Sequence, residues 1–152
     1  MMAHTDLAQQ TLIEQNMLNL LVEGLRNTLA WEVEGDGFVR KLSTLRFITQ
    51  SFQRHLEHVL ALQEYDGYMD LVLQISPRLG NLVDALRQEH DQFRKEASHI
   101  VQQFENVLPT DGDSFARICA DLAGLLKRLD VHNKKEVTLM QQAFVQDEGG
   151  QG

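Results

Sequence analysis

The chain has little of what marks several common classes of protein. Among its 152 residues there is one cysteine, Cys119, so no disulfide can form within the chain and we expect a reducing compartment, the cytoplasm. Only two prolines and ten glycines are present, which favours helices over strands. No apolar run approaches the roughly 20 residues that a membrane-spanning helix needs. The opening segment, MMAHTDLAQQ, also lacks the basic and then apolar pattern of a signal peptide, so none is expected.

Positive charge is also scarce. The chain has 14 basic and 22 acidic residues, for a net charge of −8. An acidic surface repels phosphate backbones and anionic lipids, so we expect neither a nucleic-acid partner nor a membrane partner. The polar faces mix Gln, Glu, Arg and Asp, which favours a monomer. No Gly-rich phosphate loop, Cys-x-x-Cys pair or serine nucleophile elbow is present, and we do not expect an enzyme.

What the chain does contain is a series of apolar stripes with helical spacing. Apolar residues recur at steps of three and four, the pattern of helices that bury one face. Short breaker segments such as Asp66-Gly67 and Ser76-Pro77 separate the stripes. The pattern predicts helices over residues 5–33, 37–64, 77–108 and 113–146, with a shorter helical turn over 68–75. The predicted capping residues are Thr5 or Asp6, Asp36 and Ser76, and the last helix is predicted to open at Asp113 or Ser114.

Four long helices joined by short links must run antiparallel, so the sequence predicts an all-α, up-down-up-down four-helix bundle. A closed bundle is favoured because it buries all four stripes. It would form a single domain over residues 5–146, followed by a flexible Gly-rich tail at 147–152. Near the first link, Trp31, Phe38 and Phe47 are interpreted as core and cap packing.

Each predicted helix carries a polar interruption in its apolar stripe. The last helix has two, His132 and Glu136, which are one turn apart on the same face. Burying such groups without partners costs on the order of 2–7 kcal/mol for a neutral polar group and more for a charge. The earlier helices contribute Gln15, Gln63 and His90. In an alternating bundle these side chains can reach one layer, which is how metal sites are built between facing helices.

Several short motifs resemble the hemerythrin-like (HHE cation-binding) family. Leu86-Arg87-Gln88-Glu89-His90 is similar to the family's third helix, and His132-Asn133-Lys134-Lys135-Glu136 with Leu139 is similar to its last helix. The stretch from Glu64 to Met69, followed by Pro77-Arg78-Leu79, resembles the link between its second and third helices. The resemblance runs over nearly the whole chain, from residue 5 to residue 147.

The resemblance implies a di-iron site with an incomplete set of ligands. The family uses a His from helix one, His-x-x-x-Glu from helix two, a His from helix three and His-x-x-x-Glu from helix four. Here helices three and four keep His90, His132 and Glu136, whereas the earlier positions fall on Gln15, Val59 and Gln63. Valine has no donor atom, and a glutamine amide is a poor substitute for imidazole or a bridging carboxylate.

Three readings of this layer stay open. His90, His132 and Glu136 suit a single Zn²⁺ or Fe²⁺, with Gln15 and Gln63 as hydrogen-bond partners of the ligands. The layer could instead be metal-free, with a protonated histidine paired to Glu136. The third reading is a functional di-iron protein for oxygen binding or iron sensing. It would recruit extra ligands from helix two: His55, His58 and Glu64. We expect no cofactor or one metal ion rather than two irons, and His55 is predicted to lie on the flank of its helix.

Overall fold

The computed structural model describes residues 2–146, and the side chains of 9–35 and 37–145 within them. The backbone forms long helices with short connections. In chain order the α-helices are α1 (Met2–Leu29), α2 (Asp36–Glu64), α3 (Tyr68–Ile75), α4 (Gly80–Asn106) and α5 (Gly112–Gln141), with a 3₁₀ turn at Pro77–Leu79 and a π-helical turn at Gln142–Gln146. No helix in this described part is long and apolar enough to cross a membrane.

The four long helices pack in a closed ring. Helix α1 contacts α2, α2 contacts α4, α4 contacts α5, and α5 returns to α1. The pairs run antiparallel. Arg46 in the first half of α2 donates to the Phe104 carbonyl oxygen near the end of α4, whereas Glu64 at the end of α2 meets His90 in the first half of α4. The predicted all-α, up-down-up-down four-helix bundle is confirmed.

The core is divided into two apolar clusters. The larger one fills most of the bundle and includes Phe52, Phe104 and Leu125. The smaller one lies at the end covered by α3 and includes Met69 and Leu139. Between them, α4 and α5 place buried polar side chains. This break in the hydrocarbon core is the candidate site.

Several predicted helix ends differ from the structure. Helix α1 begins at Met2, before the predicted caps Thr5 and Asp6, and ends at Leu29 rather than residue 33. Asp36 is the first residue of α2 and not its cap; the N-cap is Gly35, whose φ of 57° suits glycine.

The later starts also differ. Ser76 makes no side-chain cap bond, because Pro77 opens a 3₁₀ turn and α4 begins only at Gly80. Helix α5 begins at Gly112 rather than at Asp113 or Ser114. Its N-cap is Asp111, whose carboxylate accepts the Ser114 N–H at 3.1 Å. The predicted tail over 147–152 lies outside the described residues.

Of the three aromatic residues near the first link, only one packs into the bundle. The Phe38 ring meets the Phe115 ring edge-on, with centroids 4.7 Å apart. Trp31 and Phe47 are both exposed, Phe47 by 74%. The interpretation of these two as core packing is therefore wrong.

Candidate metal centre

Three polar side chains meet in the buried layer. His90 is 0% exposed, His132 1% and Glu136 5%. The Nε2 atoms of the two imidazoles are 3.0 Å apart. The Glu136 carboxylate faces both, with Oε1 at 3.4 Å from His132 Nε2 and Oε2 at 3.7 Å from His90 Nε2. One ligand atom from each residue thus lies within 4.8 Å of the other two, and within the described part of the chain this is the only such group of metal-ligating side chains.

Each imidazole is oriented by a carboxylate on its other nitrogen. His90 Nδ1 lies 3.0 Å from Glu64 of α2, and His132 Nδ1 lies 3.1 Å from Glu89 of α4. Because a carboxylate accepts hydrogen bonds, it holds the proton on Nδ1 and leaves the Nε2 lone pair directed at the centre.

The two orienting carboxylates are themselves held by cations. Arg94 donates to Glu64 at 3.1 Å, and Lys135 donates to Glu89 at 3.1 Å. Burial alone would raise the pKa of both carboxyl groups. The hydrogen bonds from the cations and the histidines outweigh it, and the pKa of each lies below its usual value. Both groups therefore remain ionised beside the imidazoles.

The short distance between the imidazoles requires a proton or a metal ion between the two Nε2 atoms. Two neutral rings that each keep their proton on Nδ1 would point lone pairs at one another across 3.0 Å. Either a proton or a metal ion between them removes this repulsion. With metal–nitrogen distances of about 2.0–2.1 Å, two nitrogens on one ion stand about 3.0–3.4 Å apart. The observed separation and the His₂Glu donor set therefore fit a metal ion.

Tyr68 closes the layer from the side of α3. Its hydroxyl donates to Oε2 of Glu136. Burial and the adjacent negative charge of Glu136 raise the pKa of Tyr68 well above its usual value, so the phenol stays protonated. Although burial would raise the pKa of Glu136, its interactions with His132 and His90 in their protonated form and the hydrogen bond from Tyr68 outweigh it and lower the pKa to about 2.

The link between α2 and α3 places this tyrosine over the site. Asp66 adopts a positive φ of 56°, which turns the chain sharply after α2. A Cβ at Gly67 would lie 2.1 Å from the Leu62 carbonyl oxygen, so this close approach requires glycine. Helix α3 starts at the next residue, Tyr68.

The other predicted positions do not complete the centre. Gln15 donates to Asn19 on its own helix at 3.1 Å, and Val59 is buried in the larger apolar cluster. The Gln63 Oε1 atom is buried without a hydrogen-bond partner. On the opposite flank of α2, His55 Nδ1 lies 2.8 Å and His58 Nδ1 3.3 Å from Glu14 of α1. The structure therefore does not bring His55 or His58 to the buried cluster.

Three groups around the cluster received no role from the sequence pattern. Glu89 and Lys135 lie on polar faces of their helices, and their meeting with His132 depends on the register of α4 against α5. Tyr68 stands beside Gly67 in the link, where the resemblance drew attention to the segment without assigning the side chain a partner. No local spacing in the sequence predicts the contact of Glu89 with His132 or that of Tyr68 with Glu136.

The buried layer makes the stability of the metal-free protein depend on pH in both directions. Burial would lower the pKa of His132, but Glu136 and Glu89 outweigh it and raise the pKa above 6.5. Its stabilisation is therefore complete below about pH 6.5 and lost as pH rises through the raised pKa. The stabilisation from Glu136 is present above about pH 4.5 and lost as pH falls towards 2. In urea unfolding with a chelator, we expect the free energy of unfolding to peak between these limits. If the free energy of unfolding falls at alkaline pH in His132→Gln as it does in the native chain, the assignment to His132 is wrong.

A closed helical bundle with imidazoles and a carboxylate converging in its core is typical of the class of four-helix proteins that hold metal ions between their helices. Within that class, the family model described as the hemerythrin HHE cation binding domain matches residues 14–143, and the chain belongs to this family. The resemblance predicted from the motifs is thereby confirmed. Searches of curated proteins and of solved structures found no match.

Proposed function

We propose that this hemerythrin-like domain binds a single divalent metal ion, Fe²⁺ or Zn²⁺. Its protein ligands would be Nε2 of His90, Nε2 of His132 and the carboxylate of Glu136. Two imidazoles and one carboxylate are donors that both metals accept, and three protein ligands leave further positions open. The net charge of −8 and the single cysteine support a cytoplasmic protein without nucleic-acid or membrane partners.

The observation that carries this proposal is the convergence of the two Nε2 atoms at 3.0 Å, while both Nδ1 atoms face carboxylates. Orienting carboxylates of this kind fix the tautomer and raise the basicity of metal-ligating histidines. This arrangement of the candidate ligands and of the carboxylates behind them supports the proposal.

We further propose a binding role rather than a catalytic one. A bound ion of this kind supplies Lewis acidity to a small ligand at an open position. General-base chemistry would need a carboxylate that is not already occupied. Here Glu64 is engaged by Arg94 and His90, Glu89 by Lys135 and His132, and Glu136 by Tyr68.

The di-iron alternative has less support. Its extra ligands were to come from His55, His58 and Glu64. Both histidines face Glu14, and Glu64 is bound to Arg94 while it orients His90. Recruiting them would require breaking these contacts and moving α2.

A metal-free layer is the second candidate, and the raised pKa of His132 favours it, because a proton on that ring can occupy the same place as the metal. Calorimetric titration with Zn²⁺, and with Fe²⁺ under anaerobic conditions, separates the two. We expect about one equivalent to bind, with proton release and with an affinity that falls as pH drops, because the ion displaces a proton. If neither titration gives a heat of binding with a defined stoichiometry, the metal-free layer is supported.

The orienting carboxylates should matter to metal affinity although they do not contact the ion. We expect Glu64→Gln and Glu89→Gln each to weaken metal binding by about 10–100-fold, because an amide can present its NH₂ to Nδ1 and so release the tautomer. The matched control is Glu57→Gln, an exposed residue of α2 whose carboxylate accepts from Gln53 at 3.5 Å. If the native chain and the three variants bind the metal ion with equal affinity in the same calorimetric assay, Glu64 and Glu89 have no orienting role.

A further inference from the structure

A cavity of about 530 Å³ lies beside the metal centre, between α1, α2, α3 and the end of α5. Leu62, Leu71 and Met140 give it apolar walls. Its inner end is formed by the hydrogen-bonded pair of Tyr68 and Glu136. A volume of this size holds a small organic molecule.

The charged side chains that line this cavity are all carboxylates, and its neutral polar side chains are Thr11, Gln63, Gln74 and Tyr68. The Gln63 Oε1 atom is buried and has no partner. The rim carries two carboxylates, Asp66 and Asp70. Asp70 already accepts from the Asp66 backbone N–H at 2.9 Å and from Arg87 at 3.2 Å, and the Tyr68 hydroxyl donates to Glu136. The Gln63 amide oxygen and the Asp66 carboxylate are therefore two acceptors that a ligand in the cavity could meet.

We propose that this cavity binds a small organic ammonium ion with an apolar body, such as a primary alkylamine in its protonated form. An ammonium group has three donors and no acceptor, which matches a cavity that contains an unpaired amide oxygen and only acidic charged residues. The alkyl chain would bury itself against Leu62, Leu71 and Met140. A carboxylate ligand would instead meet Asp66, Glu136 and the Gln63 oxygen with like polarity.

The two groups proposed to bind the ammonium are not proposed metal ligands, although Glu136 borders both sites. Gln63 and Asp66 lie on α2 and its following link, whereas the ligand atoms of the metal centre come from α4 and α5. The cavity is therefore available to the ammonium ion whether the buried layer holds a metal ion or a proton. Failure of metal binding would leave this inference intact, and failure of amine binding would leave the metal proposal intact.

The test is calorimetric titration of the chelator-treated chain with three probes of equal length: hexylammonium, hexanol and hexanoate. We expect hexylammonium to bind at one site, hexanol more weakly, and hexanoate at least about tenfold more weakly than hexylammonium, since a charged donor forms the stronger hydrogen bonds. Hexanoate binding as tightly as hexylammonium, or no binding of hexylammonium, would overturn the proposal.

Two substitutions locate the site. Gln63→Leu removes the unpaired oxygen, and Asp66→Asn removes the negative charge with a residue that tolerates a positive φ. Each should weaken hexylammonium binding about tenfold. The matched control is Gln53→Leu, on the same helix but outside the cavity, which should leave the affinity unchanged. If hexylammonium binds equally to the native chain and both cavity variants, it does so elsewhere and the proposal fails.

Discussion

Replacing His132 by alanine should abolish stoichiometric metal binding. This ring supplies one of the two buried imidazole nitrogens, and its loss leaves His90 and Glu136 as the remaining protein ligands. Because the loss of an outer hydrogen-bond partner already costs about 10–100-fold in affinity, removing a ligand should cost more than about 100-fold. Calorimetric titration of the variant with Zn²⁺ measures the effect, and circular dichroism checks that the bundle is still folded.

The matched control for this experiment is His99→Ala. His99 is exposed on α4, outside the buried cluster. The His99→Ala variant should therefore bind Zn²⁺ with the affinity of the native chain. If both alanine variants lose affinity equally, or neither does, the metal site has been assigned to the wrong histidines.

Replacing Phe52 by alanine should give a large loss of stability. The ring is 1% exposed and belongs to the larger apolar cluster. Truncating a buried phenylalanine removes apolar contacts and leaves a cavity, which costs about 3–5 kcal/mol in the free energy of unfolding. A loss of this size is a large part of the roughly 5–15 kcal/mol that holds a typical domain folded. Urea unfolding followed by circular dichroism measures it.

Phe47→Ala is the matched control, because the same change is made on the same helix at a side chain that is 74% exposed. Its effect should stay within about 0.5 kcal/mol. Similar losses from the two variants would mean that α2 presents a different face to the core.

The fold could be predicted because the apolar stripes repeat over long stretches and the breakers between them are short. The ends of the helices were harder to predict. Ser76-Pro77 has the form of a helix start, yet Pro77 opens a 3₁₀ turn and leaves the Ser76 hydroxyl buried without a partner. Such ends depend on how the neighbouring segments pack, which local sequence does not record.

The candidate site was partly predictable for a related reason. His132 and Glu136 share a helix face through their spacing, and His90 interrupts another stripe, so their meeting follows from the bundle. The contacts of Glu64 and Glu89 with these histidines depend on the register of one helix against another. For Gln15, the position in a stripe predicted a place in the layer, and the structure shows that its amide donates to Asn19 on its own helix.

Elemental analysis is the most direct test of the proposed centre. The chain, purified without a histidine tag, would be incubated with Fe²⁺ or Zn²⁺, passed through a desalting column and analysed for metal per chain. We predict about one equivalent, retained by the native chain and lost from His132→Ala. Two equivalents, or none with either metal, would contradict a single ion held by His90, His132 and Glu136.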